Sequence, residues 1–496
     1  MERLSYNTLK NQKYTGFLLQ NAPERILQFG EGNFLRAFAD VFIDILNEKC
    51  GFDGKIVLVQ PVGTTSASAD RINAQEGLYT LLVRGRKNGE KIDQSRVISA
   101  VSRCLNPRRD YDALLQCADN PDLRFIISNT TESGIVFDDS CAAGDRPPAS
   151  FPAKLTRFLY ERWKNRLPGF VILSCELIDH NGTELKKCVD RYIGLWHLEK
   201  EFQDWVDAEN IFCSSLVDRI VPGYPKADAP EICAALGYED SCLVAGEVFA
   251  CWVIEGPASI LSELPFDKAG LPVAFVDDVD PYKKRKVRIL NGAHTSMVPG
   301  AYLAGRNIVR ECMQDPVIQG YMNKALYGEI IPVLTDLPHD EVMQFAAEVT
   351  DRFNNPFIDH RLLSIALNCT AKWKSRIMPT VLEYHAMYGK LPPVLTFSFA
   401  AYLTFYHAGQ TRTENSLIGR RGADTFEIQD SPDVLDFFYA CRDDAVDSLA
   451  SAVIKNESFW GTALKNLPGF DEAVRENLAK IRRLGMYEAM REIQNR

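Results

Sequence analysis

This chain of 496 residues is short of several things, and each shortage removes a class of function. None of its thirteen cysteines forms a C-x-x-C pair, and none of its seven histidines stands in an H-x-x-x-H spacing. Zinc modules with those ligand spacings are excluded, and the chemistry is expected to need no metal. The cysteine number is odd, and Cys175, Cys251 and Cys369 lie in apolar runs where a thiol acts as a small hydrophobe. A disulfide framework is not expected in a chain this large without a secretion signal. The opening residues, Met1-Glu2-Arg3-Leu4-Ser5-Tyr6-Asn7, have no apolar core of signal-peptide length. The most apolar window, residues 394–408, is broken by Thr396, Ser398 and Thr404 and falls short of the roughly 20 residues a membrane span needs. A cytoplasmic protein with no membrane partner is the expectation. Positive charge is in deficit as well, with 56 Lys and Arg against 66 Asp and Glu and a formal charge of −10. That balance argues against nucleic acid as a partner, which calls for a basic face over a whole domain.

What is present fits a soluble globular chain, 46 % hydrophobic and 25 % charged. Its length exceeds one ordinary core and implies two or three domains. Arg25-Ile26-Leu27-Gln28-Phe29-Gly30-Glu31-Gly32-Asn33-Phe34-Leu35-Arg36 carries an apolar run into a Gly-x-Gly turn. A helix is expected at once behind it, because Phe34, Leu35, Phe38, Val41, Phe42, Ile45 and Leu46 recur at helical spacing. Lys55-Ile56-Val57-Leu58-Val59-Gln60 is a second buried strand. Strand, glycine turn, helix and strand open a dinucleotide-binding fold, in which glycines let backbone N–H groups approach a pyrophosphate. Phe29, Gly30, Glu31, Gly32, Asn33, Phe34 and Gln60 are the candidate cofactor contacts. Two features depart from the usual fingerprint. Leu35 occupies the third glycine position of G-x-G-x-x-G, and Gln60-Pro61 stands where a ribose-binding acid is expected, the nearest downstream carboxylate being Asp70. A glycine turn of another α/β unit is the alternative.

Further on, residues 78–83 and 97–101 flank the turn dipeptide Asn88-Gly89 and suggest an inserted hairpin. Residues 123–128 read as a strand ending in Asn129-Thr130-Thr131-Glu132. Ser150 is a plausible N-cap for a helix reaching about residue 166, and residues 170–174 form another strand ending in Cys175-Glu176-Leu177-Ile178-Asp179-His180-Asn181-Gly182. Ligands gather at the carboxyl ends of such strands, which adds Asn129, Thr130 and Glu132 to the cofactor candidates. Residues 246–256 are expected as one buried strand. The acidic run Asp277-Asp278-Val279-Asp280 marks the expected boundary. The fold class is therefore α/β, with a Rossmann-type dinucleotide-binding domain and hairpin insertion over residues 1–280. A mainly α-helical domain follows over 281–496, with almost no strand pattern and amphipathic helices expected at 315–327, 339–353, 431–453 and 471–493.

One stretch is out of character with the acidic chain. Lys283, Lys284, Arg285, Lys286 and Arg288 are five cations within six residues, followed by Asn291, Gly292 and His294. A lysine that exchanges a proton, an amide that holds an oxyanion and an imidazole that orients either are what ketone reduction needs. A lysine starts near pKa 10.4 and needs like charges or desolvation to work near neutral pH. Lys283, Lys284, Arg285 and Arg288 are candidates to supply that repulsion. On a straight α-helix, however, Lys286 and Asn291 differ by about 140°, while Lys284 and Asn291 nearly align. Either Lys286 leans across or the helix begins at or after it, and spacing does not choose between the lysines. The bland alternatives are a polyanion-binding or nuclear-localisation run, a solvated first helical turn and, for His294, a satisfied core histidine.

Lys286-x-x-x-x-Asn291-x-x-His294 resembles the catalytic pattern of the polyol-specific long-chain dehydrogenases, the mannitol dehydrogenase family. Leu216-Val217-Asp218-Arg219-Ile220-Val221-Pro222 resembles that family's V-D-R-I-x-P segment, and Arg352-Phe353-Asn354-Asn355-Pro356 its R-F-x-N-P segment. The resemblance implies hydride transfer with NAD, the missing acid leaving NADP open. It implies Lys286 as acid in reduction and base in oxidation, Asn291 and Asn181 as oxyanion donors, His294 as a positioning group and Asp218 in the substrate site. Polyol dehydrogenases usually carry Asp-Asn where this chain has Glu176-Leu177. That departure sets simple mannitol specificity aside; residues 27–38, Gln60-Pro61-Val62 and residues 175–182 resemble a sugar-acid branch of the family, and the resemblance implies interconversion of tagaturonate and altronate in hexuronate catabolism. Fructuronate, or a neutral polyol such as mannitol or arabinitol, is the alternative within the family; a non-catalytic dinucleotide sensor is the alternative outside it. A sugar-acid partner carries a carboxylate, which favours a planar cation. Lys372, Lys374 and Arg376 lie where the family places substrate-binding cations, with Arg376 the first choice, Lys374 the second and a solvated helix face the alternative. The oligomeric state is left open.

Overall fold

Residues that alternate between two apolar faces build the first part of the computed structural model, which describes residues 1–61, 67–131 and 133–495. Ile26, Ile56, Leu58, Phe125, Ile127, Val171 and Leu173 share one buried cluster, while Leu27, Phe29, Val57, Val59, Ile126 and Ile172 share another. A side-chain period of two with both sets buried is the mark of a sheet covered on both faces. In chain order the strands are β1 (Glu24–Phe29), β2 (Lys55–Val59), β3 (Tyr79–Lys87), β4 (Glu90–Ile98), β5 (Val101–Leu105) and β6 (Phe125–Ser128). They continue with β7 (Val171–Ser174), β8 (Ile211–Asp218), β9 (Val244–Glu247), β10 (Cys251–Glu255) and β11 (Val273–Val276). The main sheet runs β11-β10-β8-β7-β6-β1-β2-β5. Its pairs are parallel except β10 with β8. The order reverses at β1, between β2 and β6, and this switch point opens a crevice at the strands' carboxyl ends.

A smaller sheet, β4-β3-β9, carries the hairpin. Its turn residues Asn88 and Gly89 both have positive φ, 53° and 78°, as a two-residue type I′ turn requires. Residues 246–256 are not one strand. The chain leaves β9, breaks and re-enters as β10 in the main sheet, so one apolar run serves two sheets. Nor does one helix follow the glycine turn. A single turn, Asn33–Arg36, ends at Phe38 (φ −134°, ψ −88°) before the helix Ala39–Cys50 begins. Phe34 and Phe38 stack at 5.0 Å across that break.

Two compact units result, residues 1–85 with 92–279, and residues 86–91 with 280–496. The second unit is mainly helical, but it also holds an antiparallel sheet of β12 (Gly409–Arg412), β13 (Leu417–Arg421) and β14 (Asp424–Ile428), which the sequence reading omitted. Arg421 Nη1 donates to the Tyr302 and Arg306 carbonyls, satisfying the end of the helix Gly292–Leu303. The expected helix at 431–453 is two, Pro432–Ala440 and Val446–Ile454, and that at 471–493 is broken at Gly485. The apolar window 394–408 is the helix Pro393–His407, whose Phe399 packs on Trp373 (4.7 Å), Phe470 (5.3 Å) and Trp460 (5.5 Å). Among the described residues no helix is long and apolar enough to cross a membrane.

Candidate active site

In the first unit, β1 ends at Phe29 and the chain turns at Gly30 with φ +133°. A Cβ at Gly30 would lie 2.9 Å from the Asn129 carbonyl oxygen and 3.0 Å from Leu35 Cδ1. Leu35 thus fills the floor of the turn, and only glycine fits above it. At Gly32 an added Cβ would meet nothing within 4 Å. The backbone there is open to close approach, as a pyrophosphate requires, and the residues fit a dinucleotide. Gln28 Nε2 holds the turn by donating to the Gly30 carbonyl at 3.0 Å. Phe29 is buried against Phe151, which limits it to backbone contact. Glu31 is half-buried, and burial raises its carboxyl pKa. Asn33 Oδ1 accepts from Arg36 Nη2 at 2.8 Å. Gln60 closes β2 and accepts from Asn106 Nδ2 at 3.2 Å. Both residues line a cavity of about 460 Å³ with Arg108, Arg146 and Lys154, beyond the carboxyl ends of β2 and β5.

Asn129 and Thr130 follow β6. Glu176 ties that end to the end of β7, its carboxylate accepting from Ser128 Oγ (3.0 Å), Thr130 N (3.1 Å) and Thr130 Oγ1 (3.0 Å). Burial raises the Glu176 pKa, and these hydrogen bonds oppose the rise. Asn129 Nδ2 donates to the Cys175 carbonyl at 2.5 Å. Glu132 and Val62 lie outside the described residues.

Asn181 requires a correction. It is fully buried. Its Nδ2 donates to the carbonyls of Glu176 (2.9 Å) and Ser215 (3.0 Å), while its Oδ1 accepts from the amides of Ser215 (2.8 Å) and Gly182 (2.9 Å). Both amide hydrogens are committed, and none remains for an oxyanion. Asn181 is a clamp between the ends of β7 and β8. Asp218 ends β8 and is buried. Its neighbour Arg219 donates to the carbonyls of Glu247 (2.7 Å) and Ala37 (2.6 Å), pinning β9 beside the glycine-turn helix.

In the second unit the basic stretch is continuous helix, but not continuous α-helix. The α-helix Asp280–Lys286 passes into a π-helical turn, Val287–Asn291, and then into the α-helix Gly292–Leu303. The Gly292 amide donates to the Val287 carbonyl. An i→i+5 turn underwinds the helix, so residues five apart return toward one face. The offset expected between Lys286 and Asn291 is reduced by this turn, and neither alternative from the sequence is needed. Lys286 and Asn291 are both half-buried.

The neighbouring cations do not provide bare positive charge. Lys284 pairs with Asp336 (2.7 Å), Arg285 approaches Glu341 (3.8 Å), and Arg288 donates to Thr380 Oγ1 (2.6 Å) and Glu383 (3.1 Å). The run is neither a solvated turn nor a polyanion patch; carboxylates from farther along the same unit hold three of its members.

His294 is buried, stacked on Phe353 with ring centroids 3.9 Å apart and 14° between planes, and meets His360 edge-on at 5.5 Å. Its Nε2 makes no hydrogen bond among the described residues. Burial first, then His360, Arg352, Arg376 and Lys372, push its pKa well below the ordinary histidine value. Arg376 Nη1 donates to Thr295 Oγ1 at 3.3 Å, and burial lowers its pKa. Lys372 Nζ donates to the Ile365 carbonyl at 2.9 Å; burial, then Arg376, lower its pKa. Lys372 and Arg376 are four residues apart on the helix Cys369–Arg376 and share a face, whereas Lys374 is exposed. The inward lysine is therefore Lys372. His360 was not singled out in the sequence; its position just past Arg352–Pro356, the segment that supplies Phe353 and Arg352 to the cluster, was the available signal.

Residues 24–268 match the mannitol dehydrogenase Rossmann domain and residues 278–482 the mannitol dehydrogenase C-terminal domain. An altronate oxidoreductase of Klebsiella pneumoniae is 44 % identical, over 95 % of this chain and 96 % of its own. One of Bacillus subtilis is 43 % identical, over 99 % and 98 %. Among solved structures, a D-sorbitol dehydrogenase superposes with a TM-score of 0.80 at 24 % identity, covering 98 % of this chain and 100 % of that one. Pseudomonas fluorescens mannitol 2-dehydrogenase, in a ternary complex with NAD and D-mannitol, gives 0.69 at 24 % identity with both chains fully covered. These two likenesses are of fold.

Proposed function

Because the chain belongs to the mannitol dehydrogenase family, we propose that it is an NAD-dependent oxidoreductase that interconverts D-tagaturonate and D-altronate in hexuronate catabolism. The observation that carries this proposal is the 44 % and 43 % identity, over nearly the whole chain, to proteins named altronate oxidoreductase. When bound, the nicotinamide supplies the hydride. Gly30, Gly32 and the ends of β2 and β6 hold the dinucleotide through backbone and polar side chains. Lys286 gives a proton to the ketone oxygen in reduction and removes it in oxidation. Asn291, returned toward the Lys286 face by the π-turn, donates an N–H to that oxygen as charge develops. One donor of this kind contributes about 3 kcal/mol to barrier lowering. His294, kept neutral by burial and surrounding cations, positions a substrate hydroxyl. Arg376 binds the carboxylate with Lys372 beside it, a role a neutral polyol does not call for.

The test measures NADH-dependent turnover of tagaturonate, fructuronate and fructose, with Lys286→Ala alongside the unaltered protein. Tagaturonate is expected to give the highest kcat/KM. Lys286→Ala is expected to lose about a hundredfold or more in kcat with NADH affinity little changed. Faster turnover of fructose rejects the sugar-acid assignment. Full turnover in Lys286→Ala rejects the assigned chemistry, and no turnover of any substrate by the unaltered protein favours a dinucleotide sensor.

A further inference from the structure

The cluster around His294 holds more positive and N–H-bearing groups than a hydride-transfer site needs. His360, Arg352, Arg376 and Lys372 all act on His294 with the same sign. Two carboxylates of this unit are engaged elsewhere among the described residues. Asp359 pairs with Arg310 at 2.5 Å. Asp430, which acts on Lys372, accepts from the Thr370 amide (3.1 Å), the Ser431 amide (2.8 Å) and the Tyr406 hydroxyl. Lys372 and Arg376, grouped and partly desolvated, are an unfavourable pair until an anion joins them.

His360 belongs to this cluster by position. The Val309 amide donates to its carbonyl at 3.0 Å, and its neighbour Arg361 forms a bridge with Ile308, so the backbone under the ring is fixed. The ring is half-buried and stands edge-on to His294. Burial and Lys372 lower its pKa, which keeps the imidazole neutral with one N–H to donate.

We propose that His360 is a specificity residue of the substrate site, its ring N–H reading the carboxylate of the sugar acid together with Lys372 and Arg376. This rests on the sugar-acid reading above and adds to it the group that separates an acid from its neutral counterpart. Lys372 keeps N–H groups beyond the one given to Ile365, and Arg376 keeps most of its fork beyond Thr295, so three donors surround one anion. A neutral ketose, ending in a hydroxymethyl group, gains nothing from two cations and loses little when the third donor is removed.

The experiment measures KM and kcat with NADH for tagaturonate and fructose in the unaltered enzyme, His360→Phe and His360→Asn. Phenylalanine keeps a flat ring against His294 without the N–H; asparagine keeps a donor. His360→Phe is expected to raise KM for tagaturonate at least about tenfold, the scale of one lost hydrogen bond to a charged group. Its kcat should change less than about threefold, and kcat/KM for fructose should fall by no more than about threefold. His360→Asn should recover most of the loss. If the melting curve of His360→Phe departs from that of the unaltered enzyme, His360→Leu is used in its place. An unchanged KM for tagaturonate, or equal losses on both substrates, overturns the inference while leaving the sugar-acid assignment standing. An unaltered enzyme that prefers fructose overturns both, and does so before any variant is measured.

Discussion

Two asparagines illustrate what a residue's type conceals about its job. Asn181 and Asn291 are each followed by glycine, and each is an amide beside candidate chemistry. Asn181 is saturated by four backbone groups, whereas Asn291 is half-buried at the end of a π-turn. Asn181→Ala therefore leaves buried carbonyls of Glu176 and Ser215 and amides of Ser215 and Gly182 without their partner. The expected cost is about 2–4 kcal/mol of stability, read as a lowered urea midpoint. Asn291→Ala should move that midpoint little and lower kcat by about a hundredfold. Equal loss of stability in the two variants would remove the distinction. A local signal did exist in the sequence. A Cβ on Gly182 would stand 2.4 Å from the Cys213 carbonyl carbon, and His180 before Asn181 takes φ 50°, so the Asn-Gly pair is a close-packed strand-to-helix turn. His360 offered only its place just past Arg352–Pro356, because the role proposed for it depends on how the fold sets the helix Cys369–Arg376.

At the scale of elements, periodicity revealed what local geometry repeats and missed what tertiary contact imposes. Strands β1, β2, β6 and β7 were legible as buried runs because both faces are covered. Strands β12 to β14 were not, since Gly409–Arg412 and Asp424–Ile428 are short and mostly exposed, with little apolar alternation. The π-turns escaped for another reason: Val287–Asn291 and Leu326–Ile330 carry no motif that sets them apart from the α-helix around them, and the extra residue shows only in hydrogen bonding. The second π-turn carries a titration. Glu329 is buried and accepts from the amides of Val394 (2.7 Å) and Leu395 (2.8 Å), capping the helix Pro393–His407. Burial raises its pKa from 4.5 to about 7, against those two bonds and Lys324. The folded state holds this proton more tightly than the unfolded one. The contribution to stability is therefore full below pH 4.5 and is lost as pH rises to about 7. Between pH 5 and 7.5 the unaltered protein should lose about 2 kcal/mol that Glu329→Gln does not lose. Urea denaturation at the two pH values checks this, and parallel slopes for the two proteins would contradict it.

For the whole molecule, composition spoke most clearly about redox chemistry and least about how the chain is partitioned. The hairpin tip, residues 86–91, groups with residues 280–496 rather than with the strands it joins. Nothing local marks that, since Arg86-Lys87-Asn88-Gly89-Glu90-Lys91 has the polar make-up of any exposed turn; the grouping includes Gly89 N beside Asp351 (3.3 Å) and Lys91 Nζ over the Phe357 ring (4.7 Å). The thiols are different, because burial decides their behaviour wherever they lie. All thirteen are free, with ten buried and only Cys50, Cys251 and Cys441 partly exposed. A thiol reagent needs both access and thiolate; the ten buried groups are denied access, and several of them are denied thiolate as well. Burial pushes Cys117 to about 11 and Cys213, Cys312 and Cys369 to about 12. Native protein titrated near pH 8 should therefore show no more than three fast-reacting thiols, and the remaining ten should appear only in denaturant. With no disulfide to reduce, a reductant should leave the Tm where it was. A larger fast phase would mean that buried strands and helices open to the reagent before unfolding, and a Tm lowered by reductant would require a covalent cross-link.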